Sequence, residues 1–129
     1  MLDIWVDTDG GRLPTEPCLT LCDSGYYWFL YPLFVKLQAG TGQMIDLYGD
    51  ATFSGPDLDA LERTLTEAQR LVEAQPESWP VHVGTRASPA PRVIYQSVDQ
   101  TEFLRLLGVW GRAVARAKHV GGSIVGIGD

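Results

Sequence analysis

Cysteine and histidine are almost missing. The 129 residues hold two of each, Cys18, Cys22, His82 and His119. On a strand, residues four apart lie about 13 Å from each other, too far for a disulfide, and a helix would place them poorly. Cys18 and Cys22 are therefore expected as reduced thiols. None of these four residues forms a pair with zinc-ligand spacing, so neither a metal centre nor a cofactor is expected. Long apolar runs are lacking too. The most apolar stretch, Tyr26-Tyr27-Trp28-Phe29-Leu30-Tyr31-Pro32-Leu33-Phe34-Val35, ends at Lys36, far short of the roughly 20 residues that cross a bilayer, and no membrane partner is expected. No basic start, apolar run and small-residue cleavage site opens the chain, which leads to the expectation of a cytoplasmic protein. Repeats, low-complexity tracts and dividing linkers are missing, so residues 1–129 read as one globular domain. Nor is there a G-x-S-x-G elbow, a phosphate loop, or a G-x-G-x-x-G passing from strand to helix.

Basic residues are scarce in one part of the chain. Residues 1–77 hold thirteen acids against Arg12, Lys36, Arg63 and Arg70, whereas residues 78–129 hold Asp99, Glu102 and Asp129 against six bases. The net charge of −6 argues against nucleic acid, because phosphate neutralisation supplies most non-specific affinity. It suits encounter with a basic protein.

What the chain does have is punctuation and periodicity. Leu2 to Asp7 alternates with period two and reads as a strand, and Cys18 to Cys22 as a second. Asp23-Ser24-Gly25 caps a helix through the aromatic run, near 26–38, kinked or started late by Pro32. The run holds six of the chain's thirteen aromatics. It reads as a core helix buried on nearly every side, with a sharper alternative in which some tyrosines line a pocket or partner surface. Gln43 to Tyr48 looks like a buried strand. Pro56 then opens a helix near 56–74 with Leu58, Leu61, Leu65, Ala68 and Val72 in one stripe. On its exposed side Asp59 and Arg63 make an i,i+4 pair. Strands follow within Trp79–Thr85 and over Arg92–Val98, joined through an irregular loop at 87–91. Asp99 and Glu102 form a capping box for a helix near 100–119, whose inner face is Phe103, Leu107, Trp110, Val114 and Ala117. Ser123 to Ile127 is a last strand. The order points to an α+β (or α/β) domain, a single mixed sheet of five or six strands with three packed helices.

Two stretches carry candidate chemistry. Ile4-Trp5-Val6-Asp7-Thr8-Asp9-Gly10-Gly11, a strand ending in D-x-D, resembles the first motif of haloacid-dehalogenase-type phosphatases, and Ile124 to Asp129 resembles their last. That resemblance implies a Mg²⁺-dependent phosphohydrolase with Asp7 as nucleophile, Asp9 as acid/base and Lys118 as its lysine. Against it, prolines at 14 and 17 stop the first motif from leading into a helix, and D-x-D-G is also turn chemistry. Asp7-Thr8-Asp9-Gly10 is likewise a fragment of a calcium loop that lacks the later ligands. Asp46, Asp50 and Asp57 could gather at one sheet end, but their spacing also suits a turn and a helix start.

In overall profile the chain resembles the immunity proteins encoded beside bacterial polymorphic toxins, which are small, single-domain, often acidic proteins that act by occluding a toxin. That resemblance implies a cognate toxin domain as partner. The expected surface is Asp46, Asp50, Asp57, Asp59, Glu62, Glu67 and Glu73, with Trp79, Tyr48 or Tyr95 as an aromatic anchor. A homodimer is left open.

Overall fold

The alternation read in residues 2–7 is that of a half-buried strand. β1 (Leu2–Thr8) turns Leu2, Ile4 and Val6 inward. Around it a computed structural model, describing residues 1–13, 19–86 and 92–129, places an antiparallel sheet. β2 (Gly11–Arg12) and β3 (Leu19–Leu21) share one edge of β1, at its C-terminal and N-terminal ends respectively. The other edge pairs with β7 (Ser123–Gly128), which in turn pairs with β4 (Asp50–Ser54). The inner face carries Leu2, Ile4, Val6, Leu19, Leu21, Ala51, Phe53 and Ile124.

Three helices complete the core: α1 (Gly25–Thr41), α2 (Pro56–Glu73) and α3 (Gln100–Val120). The stripes expected on α2 and α3 are the buried ones. Each large side chain so buried contributes on the order of 1.5–3 kcal/mol. Asp99 accepts the Glu102 N–H at 2.8 Å, while the Glu102 carboxylate turns to Arg105 instead of closing the box. α1 begins at Gly25 and runs through Pro32, which lies on its exposed side, and ends where Gly42, in the left-handed region, donates to the Gln38 carbonyl. It is apolar nearly all round yet buried on one face only. Tyr27, Leu30, Leu33, Phe34 and Leu37 point inward, whereas Tyr31 and Val35 are exposed.

The α+β class and a five-stranded main sheet agree with the sequence, and three details differ. The strands divide between two sheets, because β5 (Ser78–Arg86) and β6 (Arg92–Asp99) pair only with each other. Every pairing among the described residues is antiparallel. Residues 43–48 are not a strand, and the strand is β4 just after them. Side chains take the backbone there. Thr41 Oγ1 accepts the Gln43 N–H, and Asp46 Oδ1 accepts the Tyr48 N–H. Ile45 and Leu47 still point inward, so the segment keeps the burial rhythm of a strand without its ladder. Cys18 and the loop at 87–91 lie outside the described residues.

Candidate functional site

Asp7 and Asp9 belong to a hairpin. Thr8 and Gly11 are ladder partners, Thr8 Oγ1 accepts from Gly10 N–H and donates to Gly11 O, and Gly11 takes φ 97°. That is a tight hairpin turn with a glycine at positive φ, in place of the helix a phosphatase motif would need. The two stretches that resemble that family are neighbouring strands, but they run antiparallel, so their acids lie at opposite ends. In the β1–β7 register Gly128 faces Leu2 and Ser123 faces Asp7, so Asp7 and Gly128 sit about 17 Å from each other along the sheet. Lys118 is engaged elsewhere, at 2.7 Å from Asp59 and 3.3 Å from Glu62. No group of three His, Cys, Asp or Glu among the described residues is placed to hold a metal ion.

The acidic residues expected on one face are distributed. Asp59 and Glu62 point to α3 and hold Lys118. The Lys118 ammonium keeps the Asp59 carboxyl below its ordinary range, and the two carboxylates raise Lys118 above its own. Asp59 thus makes its ion pair with α3, and Arg63 on its own helix adds a smaller attraction. Glu67 meets Lys36 of α1 at 3.4 Å, and Glu73 accepts from Gln69 at 3.0 Å. Asp57 is half-buried in the first turn of α2. Asp50 Oδ1 lies 3.3 Å from the Gly128 N–H. Much of the negative charge on α2 is therefore neutralised within the molecule.

Trp79 is not an anchor for a partner. It is 8 % exposed, stacked on Phe103 at 6.0 Å and 8° and met edge-on by Phe29 at 5.3 Å. It fixes the base of the β5–β6 hairpin to the core. There Val81 and Val98 are also buried, the Gly25 N–H bonds the Gln96 side chain, and Asp99 N–H donates to the Tyr26 hydroxyl at 3.2 Å. Beyond an irregularity between His82 and Gly84, the ribbon leaves the core. Val93 is 56 %, Ile94 43 % and Tyr95 62 % exposed. Period two puts Val93 and Tyr95 on one face and Ile94 on the other, so both faces are apolar in water. Their run without alternation was the available signal in the sequence, which identified only Tyr95.

A second feature lies along α1. Tyr27, Trp28 and Tyr31 on the helix and Met44, Asp46 and Tyr48 on the segment opposite line a cavity of about 280 Å³. Trp28 and Tyr31 have ring centroids 5.2 Å apart, and Trp28 Nε1 donates to Asp23 Oδ1 at 2.6 Å. Tyr48 is 70 % exposed. Asp46 and Tyr48 thus lie together, joined by aromatics of the α1 run. No helix among the described residues is long and apolar enough to cross a membrane. No family model, curated protein or solved structure matches the chain.

Proposed function

We propose that the chain is a protein-binding module that occludes its partner, in the manner of an immunity protein neutralising a cognate bacterial toxin. The observation that carries the reading is the outer half of the β5–β6 ribbon, with Val93, Ile94 and Tyr95 exposed in succession on both faces. Three consecutive exposed apolar residues are unfavourable in water unless something covers them, and an aromatic flanked by aliphatics is the composition of an interface centre. The net charge of −6 favours a basic partner, by accelerating encounter more than by adding affinity. A specific interface would bury about 1,600 Å² in total, so the ribbon supplies its apolar centre and surrounding polar residues the rim.

The test is capture on the immobilised chain from the native strain, identification of the bound protein, and a growth assay in which co-expression protects cells from it. Capture of one toxic protein and restored growth are expected, both lost on combining Ile94→Glu with Tyr95→Ala while the fold persists by circular dichroism. Recovery of no toxic partner would overturn the immunity reading. Protection unchanged by the ribbon substitutions would overturn the role of the ribbon.

A further inference from the structure

We infer that the groove between α1 and residues 44–48 is a binding site for one cationic side chain, a lysine or arginine, of a partner protein. The inference rests on the protein-binding reading above and names a contact separate from the ribbon. Its walls are aromatic: Tyr27, Trp28 and Tyr31 on α1, Tyr48 across from them. Aromatic faces carry the negative part of a quadrupole and attract cations within about 6 Å, most strongly for indole. The Trp28 ring is held by its bond to the Asp23 carboxylate, which also enriches the ring's electron density.

Charge selects the occupant. Asp46 lines the groove, and its Oδ1 is used by the Tyr48 N–H at 2.9 Å, while its Oδ2 has no hydrogen bond among the described residues. Neither Asp46 nor Asp23 forms an ion pair among the described residues, whereas Asp59 and Glu62 share Lys118 and Glu67 has Lys36. No cationic side chain among the described residues lines the groove. Nor does Tyr27 offer a second anion: its hydroxyl donates to the Ile45 carbonyl at 2.9 Å. The result is a groove lined by aromatic rings, with one half-exposed carboxylate and no counter-ion among the described residues. Its volume of about 280 Å³ is at the small end for ligand pockets, which suits one side chain rather than a larger organic molecule.

The experiment follows the four indole N–H signals of the uniformly ¹⁵N-labelled full chain by NMR, with Trp28 assigned through Trp28→Phe. The probes are capped Gly-Arg-Gly and Gly-Lys-Gly, capped Gly-citrulline-Gly as the neutral isostere of arginine, and choline chloride, all at matched ionic strength. The arginine and lysine peptides should shift Trp28 saturably, and the citrulline peptide should not. Asp46→Asn keeps an acceptor for the Tyr48 N–H and Tyr48→Ala removes an exposed ring, so both should fold. Each should weaken the peptide affinity by about threefold to tenfold, the scale of one cation–π or charge contact. Equal shifts with citrulline, no shift with either cationic peptide, or affinities unchanged by Asp46→Asn would overturn the site. Tighter binding of choline than of both peptides would assign it to free small cations and overturn the side-chain proposal. A shift with the cationic peptides would stand even where capture recovers no partner, so the two readings fail separately.

Discussion

Tyr27 is bound at its hydroxyl end inside the protein, and its titration reports that. Burial first, and the nearby Asp46 carboxylate second, push its phenol up to about 12. The native state therefore keeps a proton that the unfolded chain releases near pH 10. Stability falls with pH wherever the native state binds more protons, so the contribution of Tyr27 is complete below pH 10 and declines between pH 10 and about 12. Tyr27→Phe should have two effects. It leaves the Ile45 carbonyl without its donor, costing about 1 kcal/mol at neutral pH, and it makes the alkaline decline shallower. Urea unfolding of both proteins across that range tests this, and parallel pH profiles would contradict it. Trp79 gives a complementary residue-level prediction. Trp79→Ala would empty the stack between Phe29 and Phe103 and should destabilise by about 3–5 kcal/mol, measured by the same unfolding curves. A loss below about 1 kcal/mol would mean that the hairpin base is not fixed through this ring.

At the scale of elements, α2 ends on a side chain that follows it by many residues. Gln100 Nε2 lies 3.1 Å from the Val72 carbonyl, 3.3 Å from that of Glu73 and 2.9 Å from that of Gln75, and the Gln100 backbone N–H meets Glu77 O at 2.9 Å. One amide thus adds a donor at the carbonyl end of the helix, where backbone partners run out and where Val72 O has only the Gln75 and Ala74 N–H groups, and ties α2 to the start of α3. Gln100→Glu would face those carbonyls with an anion at the negative end of the helix dipole. It should cost about 1–3 kcal/mol, more than Gln100→Ala, as judged by denaturant midpoints. The reverse order would show that the amide is not a cap. Such a cap was not legible in the sequence, since it joins residues more than twenty positions apart. The helices were legible because Pro56, the Asp99 cap and the leucine spacing are local signals. Residues 43–48 misled for a physical reason: alternation records which side chains are buried, and Asp46 and Thr41 had taken the N–H groups a ladder needs. The candidate surface was legible in part. Asp46 and Tyr48 lie close in sequence and in space, while the pairing of Glu62 with Lys118 depends on how α2 crosses α3.

The whole molecule is unevenly consolidated, and that has a measurable consequence. β1 and β7 are the inner strands of the five-stranded sheet, each paired on both edges and packed against α3. The β5–β6 ribbon is two strands only, held at its base by Trp79, Val81 and Val98. A two-stranded ribbon without packing on either face is marginal in water, and amides open locally with free energies that follow such packing. Native-state hydrogen exchange should therefore be slowest at Ile4, Val6 and Ile124, reaching the global unfolding free energy, and faster at Val93, Ile94 and Tyr95. Opening of these three should depend little on denaturant, because little surface is released. The same experiment bears on self-association. If two copies covered each other's ribbons, protection at 93–95 would rise with protein concentration, by the mass action that links binding to stability, and would fall again in a Tyr95→Ala variant. Exchange at 93–95 that is fast and independent of concentration is the expected result for a chain whose ribbon is reserved for a different protein. Protection there equal to that of β7 at every concentration would mean the ribbon is stable as it stands, and the case for a partner that covers it would fail.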